Sequence, residues 1–128
     1  MANFLSKAEV WIGYVLTIIS MVSFVIALFK ALKAKKYDKI VELNNNSMSP
    51  LNSRTNAREN DKIILDLCKK YEVPVVMGSD AHADFMIGDF TRALELVEEV
   101  GFPKELLLND SVEKFKRFIH IQRVRENR

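Results

Sequence analysis

The sequence predicts a membrane-anchored α/β chain: one transmembrane helix followed by an incomplete series of β/α units. Three observations carry this reading. Residues 10–29 contain no Asp, Glu, Lys or Arg. Short apolar runs at residues 40–43 and 75–77 have the character of strands, and stretches of helical periodicity follow each of them. Turn signals separate these pieces: the polar loop Asn44-Asn45-Asn46-Ser47, then Pro74, then Gly101.

The uncharged run comes first. At a helical rise its twenty residues reach roughly 30 Å, the thickness of a bilayer's hydrocarbon core. A core helix would carry a polar stripe, and only Thr17, Ser20 and Ser23 are candidates for one. A signal peptide would have a shorter apolar region followed by a small-residue cleavage motif, and no convincing one follows. Trp11 and Tyr14 suit one membrane interface, and Lys30, Lys33, Lys35 and Lys36 crowd the other. The Lys excess predicts a single-pass protein with its soluble part in the cytoplasm. Gly13, Thr17, Ser20, Ser23 and Ala27 fall along one side of the span. They would admit a second helix, or the hydroxyls would bond back to their own helix. The chain thus divides into a short N-terminal segment (1–9), the span (10–29), a basic flank (30–36) and a soluble part (37–128). Its net charge of +2 divides as well, because the residues up to Lys36 carry +4 and the remainder −2. The basic balance therefore belongs to the membrane flank, and no nucleic-acid partner is expected.

In the soluble part, residues 40–43 open as a strand. Asn56 and Glu59 are spaced as a capping box for a helix with Ile63, Ile64, Leu67, Cys68 and Tyr71 inward. Val75-Val76-Met77 reads as a strand buried on both faces. Asp89 starts a second helix with Phe90, Ala93, Leu94, Val97 and Val100 inward, and Gly101 ends it. Leu106-Leu107-Leu108 is a candidate for a last strand. Asp110 and Glu113 form another capping box before a helix with Val112, Phe115, Phe118 and Ile119 inward. The alternation implies a parallel sheet or part of a barrel, with too few strands to stand as a complete one. The single cysteine, Cys68, offers no disulfide and reads as a buried apolar residue.

Chemistry concentrates in Gly78-Ser79-Asp80-Ala81-His82, just past the second strand. In an extended chain Asp80 and His82 point to the same side, so a carboxylate and an imidazole can converge on one ion. Oxygen and imidazole donors together suit zinc, manganese or iron. The spacing alone is also that of a turn-capping Asp beside a surface His.

Larger stretches add a resemblance. Val41-Glu42-Leu43-Asn44-Asn45-Asn46-Ser47, Ser53-Arg54, Val76-Met77-Gly78-Ser79-Asp80-Ala81-His82, Ile87-Gly88-Asp89-Phe90, Gly101-Phe102-Pro103 and Asn109-Asp110-Ser111 follow one another in an order and spacing that resemble the C-terminal end of the PHP (polymerase and histidinol phosphatase) family. That resemblance covers residues 37–119. It implies the last β/α units of a distorted barrel, a divalent-metal cofactor and hydrolysis of phosphomonoesters, with Asp80 and His82 matching the last two metal ligands. In an intact barrel Arg54 would meet the substrate phosphate; otherwise it is a solvated loop arginine.

The chain departs from the pattern where the family's His-x-His motif, further His ligands and bridging Glu should precede residue 37. A membrane helix stands there instead, and the only other histidine, His120, lies in a basic terminal helix. Two ligands do not hold a multinuclear cluster. The expectation is a chain inactive by itself, with weak metal binding, whose site a second copy or a partner supplying the rest of the barrel would complete. The alternative is a non-catalytic interaction module derived from such a barrel. The cationic residues Lys114, Lys116, Arg117, Arg123, Arg125 and Arg128 read as a solvated helix tail.

Overall fold

The computed structural model describes residues 2–52 and 54–127; Ser53 and Arg128 lie outside the described residues. A single helix, α1 (Ala2–Lys36), runs past both ends of the predicted span. It continues through Ala31, Leu32 and Ala34 because these are strong helix formers, and Lys33, Lys35 and Lys36 in its last turn complement its dipole. Segment Ser6–Lys36 is long and apolar enough to cross a membrane, and the most apolar part is almost wholly unburied. Trp11, Leu16, Met21 and Phe29 are all more than 60% exposed. Thr17 Oγ1 donates to the Gly13 carbonyl at 2.9 Å, so this hydroxyl bonds back to its own helix.

The rest is mostly helical around a small sheet. Strand β1 (Val41–Asn44) leads through a short turn (Asn46–Met48) to α2 (Ala57–Lys70) and strand β2 (Val75–Gly78). A second turn (Asp84–Met86), α3 (Thr91–Val100), two further turns and α4 (Val112–Glu126) complete the order. β1 and β2 pair in parallel, from Val41 opposite Val75 to Asn44 opposite Gly78. The last predicted strand does not form. Leu107 makes one parallel bridge to Val75, and there the pairing stops. Asn109 takes over from it: its amide donates to the Met77 carbonyl at 2.8 Å and accepts from the Met77 N–H at 3.0 Å. A side chain thus satisfies both backbone groups that a third strand would have paired.

One face of the sheet is packed. Leu43, Val75 and Met77 lie in a core with Leu65 and Cys68 of α2 and Ala93 and Leu96 of α3. The predicted inward faces hold at Leu67, Cys68, Ala93 and Val97, all buried, and differ at their neighbours. Leu65 and Leu96, both at most 1% exposed, are central, whereas Leu94 is 45% exposed. Ile63, Ile64 and Tyr71 pack only at the edge. The helix starts also differ from expectation. Asn56 occupies the cap position of α2 in a left-handed conformation and makes no side-chain cap bond. α3 begins at Thr91, where the Asp89 carboxylate accepts from both the Thr91 N–H and its hydroxyl. Gly101 ends α3 with φ 61°, a conformation that favours glycine.

The basic flank is not a separate linker. Ala27 and Ala31 pack against Leu67 of α2, and Ala34 belongs to the main core. Of the small residues expected to admit a second helix, Ala27 packs against α2. α4 differs from expectation most: none of its residues is buried, and Val112 is 62% exposed. Its cap is Ser111, whose hydroxyl accepts from the Lys114 N–H, while Asp110 pairs with the Lys114 ammonium at 2.7 Å. The tail is tied rather than free, since Arg125 pairs with Asp38 at 2.7 Å and Gln122 donates to the Asp38 carbonyl.

Candidate metal and phosphate site

The C-terminal ends of β1 and β2 lie side by side, so the loops after them meet. The loop after β1 is built on asparagines. Asn44 Oδ1 accepts from the Ser47 N–H at 2.9 Å, and Asn45, 2% exposed, accepts from the Ala93 N–H in the first turn of α3. That bond satisfies one of the N–H groups a helix start leaves unpaired and fixes the loop to α3.

The loop after β2 is not extended at Asp80, whose φ is 47°. A left-handed aspartate is tolerated but strained, and such residues cluster at functional sites. The turn brings one Asp80 carboxylate oxygen to 2.9 Å from the Asn44 amide, which donates to it. His82 Nδ1 lies 2.8 Å from the Asp80 carbonyl and 3.2 Å from the Asn46 amide nitrogen. With its proton on Nδ1, the ring donates to that carbonyl and presents Nε2 as a free donor atom, the arrangement that orients metal-binding histidines. Both side chains are exposed.

Arg54 reaches the same place. It shares with Asp80, His82, Asn46 and Asn52 an open cleft of about 460 Å³. Its own N–H donates to Asn52 Oδ1, and Asn52 in turn donates to the Asn46 carbonyl. All three residues singled out from the sequence therefore line one cleft at the strand ends, though not by the extended geometry expected for Asp80 and His82. The asparagines read as loop-backbone partners, which Asn44 is to Ser47; beyond that reading, Asn44 also donates to the Asp80 carboxylate, and the Asn46 amide lies against the His82 ring. The signal available was an Asn run closing one strand in parallel with Asp80 closing the next.

The donor set is partial. Among the described residues no group of three or more His, Cys, Asp or Glu side chains is placed to hold a metal ion. His120 is exposed on α4, and Cys68 is fully buried with its thiol pushed up to about 12 by desolvation, which keeps it protonated and inert. One carboxylate and one imidazole fit as part of a zinc, manganese or iron site and do not by themselves make one.

No family profile matches the chain. It is 43% identical over 95 residues to a "Probable phosphatase" of Acetivibrio thermocellus, which covers 74% of this chain and 38% of that protein. It is 46% identical over 90 residues to one of Caldicellulosiruptor saccharolyticus (69% and 36%), and 37% identical over 87 residues to one of Clostridium botulinum (68% and 35%). The chain is similar to proteins named as phosphatases. It spans little more than a third of the length of these relatives. Since the first match covers 95 of 128 residues, the span it occupies includes residues 34–95, and with them Arg54, Asp80 and His82.

Proposed function

We propose that this chain is a membrane-anchored, phosphatase-like module of PHP type that carries the last part of a metal-dependent phosphomonoester site. The observation that carries the reading is the convergence of Arg54, Asp80 and His82 on one cleft, within a stretch shared with proteins named as phosphatases. Asp80, oriented by Asn44, and His82, oriented through the Asp80 carbonyl, would hold a zinc, manganese or iron ion. When bound, such an ion polarises a phosphoryl oxygen and acidifies a water. Arg54 has the charge and the planar fork that match phosphate oxygens. Two protein donors leave the coordination incomplete, so ligands from a partner or a second copy are required for turnover.

The anchor is α1. An unburied apolar helix of this length is unstable in water and finds its low-energy surroundings in a bilayer. The cluster of lysines at its C-terminal end puts residues 37–128 on the cytoplasmic side. A C-terminal alkaline phosphatase reporter, active only outside the cytoplasm, should stay silent, and activity from it would reverse the topology.

The site is tested on the full chain in detergent, by metal analysis and a generic phosphomonoester assay. Weak, readily exchanged divalent binding is expected, lost in His82→Ala with the helical circular dichroism unchanged, and with negligible turnover. Metal-dependent turnover that disappears in His82→Ala would show that self-association completes the site. No divalent binding even at high metal concentration would favour a non-catalytic interaction module. That second reading draws on the exposed apolar residues Leu51, Phe85 and Ile87 on the loops beside the cleft, 97%, 84% and 75% exposed.

A further inference from the structure

A cavity larger than the cleft at the strand ends lies elsewhere on the chain. It has a volume of about 620 Å³ and lies between the last turns of α1 and strand β1. Lys30 and Lys33 of α1, with Lys39 and Arg54, give it four cations against the two acids Glu42 and Asp61. Its size falls in the range of small-molecule sites. Its position is unusual: Lys30 is the first charge after the uncharged stretch 10–29, so the cavity opens where that stretch ends.

A second cavity adjoins it. A narrow cleft of about 120 Å³ is lined by Ser23, Ile26, Ala27, Lys30, Asn60 and Ile64. Lys30 and Ile64 line both. The cationic chamber and this half-apolar cleft thus meet at Lys30 and Ile64, and the cleft lies on the side of α1 toward its uncharged stretch. A free phosphate would use only the first part; a molecule with an anionic head and a hydrocarbon tail fits both.

We infer that the paired cavities seat an anionic membrane phospholipid, its phosphate among Lys30, Lys33 and Lys39 and the start of an acyl chain along Ser23 and Ile26. The inference rests on α1 spanning the membrane and is independent of the phosphatase reading. Basic pockets at the membrane surface hold lipid headgroups in this way, each nearby cation contributing roughly fivefold in affinity. Asp61 and Glu42 at the wall set a limit on headgroup charge, favouring a single phosphodiester over a polyphosphorylated head.

The experiment uses the full chain in nanodiscs of phosphatidylcholine with a minor fraction of phosphatidylglycerol. Insertion is checked first, by resistance to alkaline extraction from vesicles. Retained lipid is then counted by native mass spectrometry. Selective retention of phosphatidylglycerol is expected, falling at least about fivefold in Lys33→Glu and in Lys39→Glu. Lys36→Glu is the control, because Lys36 has the same charge in the same turn and lines neither cavity. Equal losses in all three variants would mean a diffuse attraction to anionic membranes and would overturn the pocket. Displacement by millimolar glycerol phosphate would assign the chamber to a soluble phosphate instead of a lipid, and would overturn it too. Failure to insert removes the membrane reading itself, whereas insertion with no lipid preference sinks this inference alone.

Discussion

The two faces of the small parallel sheet differ in what they do. On one, Leu43, Val75 and Met77 are buried under α2 and α3. On the other, Glu42, Asn44, Val76 and Gly78 alternate with them, and none is buried. Parallel strands ordinarily have both faces covered. The covered face holds the fold together through apolar area removed from water. The open face carries polar groups in close approach. Asn44 holds Asp80, and the exposed Glu42 carboxylate lies over the Cα of Gly78. Stability and candidate chemistry thus occupy opposite sides of four residues of sheet. On the proposed reading, the open face is what the remaining two thirds of a phosphatase-like protein would cover.

The sharpest way to break this comparison is to truncate one buried and one exposed apolar side chain. Leu65→Ala, under the covered face, should lower stability by about 2–5 kcal/mol through lost transfer energy and a residual cavity. Val112→Ala on α4, where the residue is 62% exposed and nothing on the helix is buried, should change it by less than about 1 kcal/mol. Thermal unfolding of the full chain in micelles, followed by circular dichroism, reads both. Similar losses would mean that α4 is covered in solution, by a second copy or another surface.

A smaller effect tests the free edge of β2. Asn109→Ala strips Met77 of both backbone partners at once, in a half-buried place. Leaving such groups unsatisfied costs about 1–3 kcal/mol. Asn109→Asp keeps the acceptor for the Met77 N–H and loses the donor to its carbonyl, so it should fall between the two. If Asn109→Ala matches the parent chain in midpoint, water replaces the amide and the third-strand mimicry has no energetic weight.

Asn109 also shows why part of the fold was legible and part was not. Long-range composition read well: the uncharged helix, the apolar strand before Asp80 and the glycine stop of α3 are all where the pattern put them. Register read less well. Ala93 and Val97 of α3 were placed inward correctly, and the choice between the two flanking leucines fell on Leu94 where Leu96 is the buried one. The run Leu106-Leu107-Leu108 has a strand's composition, yet strand pairing is a tertiary event, and a neighbouring amide ended it after one bridge. The inward face of α4 was a sound periodic pattern with no surface to meet. Ala27, Ala31 and Ala34 recur at helical spacing and, among the described residues, are the buried ones of α1 in the cores, and Ala31 and Ala34 were not singled out because they stand among lysines. For the site, Asp80, His82 and Arg54 were legible as residue types. The left-handed turn at Asp80 and its Asn44 partner were not, because they depend on two loops meeting.

The smallest expected effect concerns a carboxylate rather than an apolar group. Asp61 on α2 is half-buried, and its pKa is raised above the usual carboxylate value by that burial, against the opposing pull of the Ser47 hydroxyl and the charges of Arg54 and Lys30. The hydroxyl has one proton to give. Ser47 Oγ lies 2.8 Å from the Asn44 carbonyl and 3.2 Å from Asp61, so its proton goes to the nearer acceptor. The sign follows from linkage: the folded chain binds this proton more tightly than the unfolded chain. The stabilisation is therefore fully present below the unfolded value of 3.8 and is lost as pH rises through the raised folded value. Asp61→Asn imitates the neutral acid at every pH, with an amide able to donate to Ser47. Its unfolding midpoint in urea should exceed that of the parent chain at pH 7 and converge toward it near pH 4. A lower midpoint at pH 7 would mean that the attraction of Lys30 and Arg54 for the charged carboxylate outweighs its desolvation.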